Sequence, residues 1–176
     1  DVSQYLQTNP YRLFSLGMRF QKVDDIAQKH FAVKFDDEVR LRAVVEQGLR
    51  LWSDKGNTVA EWHDIENSVS QNLKNSHQLT MKAKELEGDV LGFVKKDEQY
   101  FVSGNYIFEK TIAKRFIKLA ANKHFWSNKL EEVYLSAIPD GWTLEIEQAR
   151  AVRAALINEV FILTGGAGTG KTTTTK

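Results

Sequence analysis

The sequence predicts a mainly α-helical fold with one small β-hairpin, followed by the start of an α/β domain. Apolar residues recur at helical spacing up to about Gly88, and two short apolar runs then flank the polar segment 95–98. Further on, the apolar run 160–163 leads directly into a glycine-rich segment. We therefore expect three parts, at 1–88, 89–138 and 139–176.

The N-terminal part is predicted to begin with two short helices. Asn9-Pro10 places a proline at a helix start, where its missing N–H costs least. Gly17 is expected to end this helix, and a second one is expected at about 22–31. The chain therefore begins with two helices joined near Gly17.

Three more helices are predicted before the hairpin. Asp36 or Asp37 can cap a long helix with apolar residues on one face, and Gly56-Asn57 is expected to end it. Two shorter amphipathic helices are predicted at about 61–73 and 78–87.

The second part changes from helical to strand periodicity. Residues 90–94 and 99–102 are predicted strands joined by a polar turn over 95–98. A hairpin after short helices is the layout of a winged helix. A helix over about 106–123 follows, with Phe108, Ile112, Phe116 and Leu119 as its expected buried stripe. Its lysine row is either a solvated face or a track for phosphates: Lys110, Lys114 and Lys118.

The third part starts near residue 139 and is expected to form a helix over 144–158 and a short strand over 160–163. Gly165 to Thr172 then match the phosphate-binding (Walker A) pattern G-x-x-x-x-G-K-[ST]. Glycines let the backbone curl, so that its N–H groups and a helix N-terminus can receive phosphate oxygens. ATP and Mg²⁺ are the predicted cofactors, with Lys171 on the β- and γ-phosphates and Thr172 on the metal ion. The predicted binding residues are Gly165, Gly166, Gly168, Thr169, Gly170, Lys171, Thr172 and Thr173.

A phosphate-binding loop opens a domain that needs more parallel strands and a second acidic Mg²⁺ ligand. Only about one helical turn follows the loop before Lys176. We therefore expect the 176 residues to be part of a longer protein and to lack ATPase activity alone. The strand at 160–163 is expected to lack neighbours, and hence to pair with another chain or to be poorly ordered.

The composition is that of a globular protein, with 42% hydrophobic and 27% charged residues. The net charge is only +1, so any contact with DNA is expected to be local. The sequence has no cysteine, which excludes disulfides and thiolate metal sites and is compatible with the cytoplasm. No apolar run approaches the ~20 residues of a membrane span.

Two groups of residues resemble known helicases. The runs 142–152 and 161–174 look like the start of the motor core of superfamily 1 helicases, in which a glutamine before the strand recognises adenine. Gln148 is the matching residue here. Upstream, four runs are similar to the longer branch of RecD-like helicases, which resemble the exodeoxyribonuclease V alpha subunit: Asn9-Pro-Tyr-Arg-Leu13, Gly17-Met-Arg-Phe20, Asp24-Asp-Ile-Ala27 and Arg40-Leu-Arg-Ala43.

The resemblance implies ATP-driven 5′→3′ unwinding of DNA, with a role in repair and a helix-hairpin-helix region before the motor. The chain departs from the family pattern at three positions. Ala167 stands in place of a usual proline, Arg19 in place of a hairpin glycine, and Asn57 in place of a histidine. Arg19 either brings positive charge to a DNA phosphate or belongs to a hairpin that serves only packing.

Lys95 and Lys96, at the expected tip of the β-hairpin, and Arg19 are the predicted contacts with DNA. The expected DNA partner is single-stranded or a duplex junction. Alternatively, the β-hairpin is a steric wedge or a scaffold. A second interpretation of the whole chain is a helical regulatory or protein-interaction module attached to a P-loop ATPase that is not a helicase.

Overall fold

The computed structural model describes residues 6–88, 92–122 and 129–175. The chain forms two compact units, Asp1–Glu109 and Lys110–Lys176. The described residues are mainly helical with one small antiparallel sheet, which confirms the predicted fold class. The division into three parts stays a prediction.

The N-terminal unit begins with a 3₁₀ helix, Pro10–Leu16, and an α-helix, Phe20–His30 (α1). The Asn9 side chain caps the 3₁₀ helix by accepting a hydrogen bond from the Tyr11 N–H at 3.0 Å. Gly17 ends that helix with a left-handed φ of 76°, which glycine adopts without strain. The expected pair of short helices is therefore confirmed.

The next six elements follow the order of a winged helix, helix–strand–helix–helix–strand–strand. Their sheet is antiparallel with the strand order β1-β3-β2. The sequence did not predict β1, because a strand of two residues carries no readable alternation. The six elements are α2 (Glu38–Ser53), β1 (Ala60–Glu61), α3 (Trp62–Asn72), α4 (His77–Glu85), β2 (Phe93–Lys96) and β3 (Gln99–Val102).

The turn of the β-hairpin is shorter than predicted. Asp97 and Glu98 form it alone, with φ values of 49° and 62°. Two left-handed residues match the twist of the flanking strands, so the hairpin closes in two residues. Lys95 and Lys96 therefore lie in strand β2, and their expected place at the tip is wrong. The predicted strand start at 90–91 lies outside the described residues.

Helix α5, Ser103–Ala120, forms close to its predicted position, but its expected buried stripe is wrong. Phe108, Ile112 and Phe116 are 67%, 53% and 48% exposed. The sequence pattern identifies the apolar side of a helix, whereas burial also needs a packing partner. Among the described residues, none covers this side. The predicted end of the helix at residue 123 lies outside them.

The core of the N-terminal unit is centred on α2, whose residues Leu41, Val44 and Val45 are fully buried. Helix α3 packs closely on α2 at Gly48. A Cβ added to Gly48 would lie 3.3 Å from the Ile65 Cβ. A side chain at residue 48 would therefore force Ile65 to shift by a few tenths of an ångström, so this contact favours glycine.

Gly48→Val is expected to lower the free energy of unfolding by about 1–3 kcal/mol, the usual cost of overpacking. Gly104→Val in α5 is the matched control, because a Cβ at Gly104 would meet nothing within 4 Å. Urea unfolding of both variants measures the difference. Equal unfolding midpoints for the two variants would contradict the close contact at Gly48.

The C-terminal unit contains α6 (Leu130–Ala137), α7 (Ile146–Ile157) and α8 (Lys171–Thr174). Helix α7 confirms the predicted helix at 144–158. The predicted strand at 160–163 does not form, since residues 161–166 have no regular secondary structure. A strand is stable only when its backbone groups are paired, and no other strand of this unit lies among the described residues.

Candidate functional site

Three residues from the helicase-like runs meet in the core of the N-terminal unit. The Arg40 guanidinium donates two hydrogen bonds of 2.9 Å to the Asp24 carboxylate, one from Nε to Oδ1 and one from Nη2 to Oδ2. The Tyr11 hydroxyl donates to Asp24 Oδ1 at 2.6 Å. All three residues are buried, so this network joins the 3₁₀ helix, α1 and α2.

Arg40 also donates hydrogen bonds to two backbone carbonyl oxygens, one just before α2 and one at the end of α3. Its Nη1 donates to the Phe35 oxygen and its Nη2 to the Asn72 oxygen, both at 3.2 Å. Burial, and then the hydrogen bond to Asp24, raise the pKa of Tyr11 far above its usual value, so that Tyr11 stays a neutral donor. We interpret the network as structural, because each member has its partners inside the core.

The segment 17–19 presents positive charge at the start of α1. Arg19 is the N-cap residue, and its exposed side chain makes no capping hydrogen bond. Lys22, in the first turn of α1, is also exposed. The start of a helix attracts anions through its N–H groups and dipole. Arg19 therefore lies where it can add charge to a phosphate contact.

The two lysines of strand β2 have different surroundings. The Lys95 ammonium donates to the Lys84 oxygen at 3.3 Å and lies 3.5 Å from a Glu98 carboxylate oxygen. Burial lowers the pKa of Lys95, but its contacts with Tyr100 and Glu98 outweigh that effect and raise it. Lys96 is exposed. Of these two predicted DNA contacts, Lys96 is thus the one that presents its charge to solvent.

The glycine-rich segment closes on itself before α8. Gly168 and Gly170 have φ values of 77° and 76°, which favour glycine. The Lys171 ammonium donates to the Gly165 oxygen at 2.7 Å and to the Gly166 oxygen at 2.5 Å. The lysine therefore occupies the inner side of the loop, where its charge is held by backbone carbonyls.

Gln148 of α7 lies against the same loop. Its Oε1 accepts a hydrogen bond from the Glu145 N–H at 3.1 Å as part of a capping box. Its Nε2 would be 2.6 Å from a Cβ added to Gly170. Gln148 and Lys171 line one open cavity of about 490 Å³. The fold thus brings the predicted adenine contact and the predicted phosphate loop together.

Asn57, which had no predicted role, lies at the end of α2. Its Nδ2 donates to the Trp52 oxygen at 3.3 Å. This bond satisfies one of the carbonyls that a helix leaves unpaired at its C-terminus. Asn57 therefore has a structural role.

Residues 1–59 match the family described as the ATP-dependent RecD2 DNA helicase HHH domain, where HHH stands for helix-hairpin-helix. The match includes the 3₁₀ helix, α1 and α2. No solved structure matches the chain. No helix among the described residues is both long enough and apolar enough to span a membrane.

Proposed function

We propose that this chain is part of an ATP-dependent DNA helicase. The premise is that residues 1–59 are the helix-hairpin-helix region of a RecD2-like helicase. The family match is the observation that carries the proposal. In this function the N-terminal unit contacts DNA, and the loop at 165–172 binds ATP. The helicase unwinds in the 5′→3′ direction and acts in DNA repair in the cytoplasm.

The close packing of the loop supports this proposal. A Cβ at Gly165 would lie 2.8 Å from Thr169 Oγ1, so a side chain at this position would force Thr169 to shift. When bound, ATP would supply the phosphoryl group whose transfer releases free energy, and Mg²⁺ would neutralise charge on the phosphates. Lys171 would exchange its two carbonyl partners for phosphate oxygens, Thr172 would hold the metal ion, and Gln148 would contact the adenine. The 176 residues alone do not hydrolyse ATP, because hydrolysis also needs an acidic Mg²⁺ ligand and a residue that positions water.

The DNA contact of the N-terminal unit is proposed at Arg19, Lys22 and Lys96. All three are exposed cations. Each neutralised phosphate of a duplex contributes about 0.9 to the slope of log affinity against log salt concentration. Three contacts give a slope of about −3, which corresponds to weak binding with little dependence on DNA sequence.

Arg19→Ala is expected to reduce this slope by about 0.9. The measurement is a fluorescence titration of the chain with forked DNA over a salt series. Lys29→Ala is the matched control, because the Lys29 ammonium is already paired with Asp25 at 2.7 Å. Lys96→Ala is expected to act like Arg19→Ala. Lys95→Ala is expected to leave the slope unchanged, since the Lys95 side chain is only 16% exposed and lies 3.5 Å from a Glu98 carboxylate oxygen.

A chain that binds no forked DNA at low salt would contradict the proposed function. That outcome would favour the second candidate, a regulatory or protein-interaction module on a P-loop ATPase that is not a helicase. The exposed apolar stripe of α5 is the observation that supports this candidate, because contiguous apolar surface is typical of protein contacts.

A further inference from the structure

Helices α3 and α4 form a helix-turn-helix that none of the sites above uses. Residues 73–76 connect them, with left-handed φ values of 53° at Lys74 and 57° at Asn75. Ser76 caps α4 by accepting a hydrogen bond from the Leu79 N–H at 3.4 Å. In helix-turn-helix proteins the second helix lies in the major groove of duplex DNA.

Helix α4 has one buried face and one exposed face. Thr80 and Ala83 are buried in the unit. The exposed residues fall within an arc of about 140° on a helix of about 100° per residue, so they form a single outer face. These residues are His77, Gln78, Lys82 and Glu85.

One lysine, Lys74, lies at the turn, and one, Lys82, lies on this outer face together with the acidic Glu85. The Lys74 ammonium is 5.0 Å from the centre of the Phe35 ring, and the Lys82 ammonium donates to the Asp36 oxygen at 3.2 Å. Both lysines are exposed, and both lie beside the loop that precedes α2. Within the winged-helix part, these two lysines attract phosphates to the turn and to α4.

We infer that α4 is a recognition helix that enters the major groove of duplex DNA, with Lys74 and Lys82 on its phosphates. This inference rests on the proposed function, and it adds a duplex-binding surface separate from the segment 17–19. The duplex arm of a fork binds at α4. The helix-hairpin-helix region holds a phosphate of either arm.

The test is the variant Lys74→Ala/Lys82→Ala in the 176-residue chain. Fluorescence anisotropy measures binding to a labelled duplex and to a single strand of the same length over a salt series. Two lost phosphate contacts at about 0.9 each should reduce the duplex slope by about 1.8, with single-strand binding unchanged. Lys29→Ala/Lys55→Ala removes the same charge from the same unit and is expected to leave both slopes as they were. Equal thermal midpoints establish that each variant is folded.

Two outcomes overturn the inference alone. The first is an unchanged duplex slope in the Lys74→Ala/Lys82→Ala variant while Arg19→Ala still lowers it, since the proposed function then stands without α4. The second is an equal loss for duplex and single strand, because a helix that enters a groove needs a duplex. If the unaltered chain binds neither DNA, the proposed function fails first and the inference fails with it.

Discussion

Asp24→Asn is expected to lower the free energy of unfolding of the N-terminal unit by about 3–5 kcal/mol. The Arg40 side chain is only 3% exposed, and Asp24 is its paired carboxylate, at 2.9 Å. Asparagine has a similar shape but no charge. The variant therefore leaves a buried guanidinium without its counter-charge, which costs far more than the hydrogen bonds alone. Urea unfolding followed by circular dichroism measures the loss.

The neighbouring residue provides the control. Asp25 pairs with Lys29 at 2.7 Å, but these side chains are 58% and 66% exposed. Asp25→Asn is thus expected to cost about 1 kcal/mol or less. If Asp24→Asn were equally mild, the buried network would not hold the helices together. Arg40→Met added to Asp24→Asn should recover part of the loss, since the unpaired charge is then gone.

Under the proposed function, Lys171→Ala is expected to lower the rate of ATP hydrolysis by about 10²–10³-fold in a helicase that contains this chain. In that function the ammonium is the side-chain charge of the loop that would stabilise the transferred phosphoryl group. DNA binding should be retained, because Arg19 and α4 belong to the N-terminal unit. Steady-state hydrolysis and DNA binding of the same preparation separate the two effects.

Lys129→Ala is the matched control for this experiment. Lys129 is an exposed lysine at the start of α6, so its removal changes the charge of the C-terminal unit equally. Hydrolysis is expected to stay near the unaltered rate. A Lys171→Ala helicase as active as the control would show that the loop at 165–172 is not the ATP site.

The parts of the fold that depend only on residues adjacent in the sequence were predictable. The Asn9 side chain caps the start of the first helix and Gly17 ends it with a left-handed backbone, and the predicted start and end of this helix are confirmed. The Tyr11–Asp24–Arg40 network was not predictable as a contact, because its members are 13 and 16 positions apart. The sequence indicated them only as parts of a family resemblance, without a structural role.

The candidate sites also differ in how far the local sequence predicts them. The phosphate-loop pattern needs two spaced glycines, a lysine and a Ser or Thr within one short segment, so a contiguous pattern is enough to predict it. The outer face of α4 has no such pattern, since exposed polar residues occur on most surface helices. The buried stripe of α5 was predicted wrongly because the prediction assumed a packing partner that no described residue provides. The strand at 160–163 was expected to lack neighbours, and residues 161–166 have no regular secondary structure.

The buried pair between Asp24 and Arg40 has a mechanical consequence under the proposed function. A helicase that moves along DNA exerts force on each residue that binds the strand. The pair joins α1 to α2 through two parallel hydrogen bonds of 2.9 Å. The N-terminus of α1 carries Arg19, the proposed DNA contact. Under the proposed function, force applied at Arg19 is therefore transmitted from α1 to α2 through this buried pair.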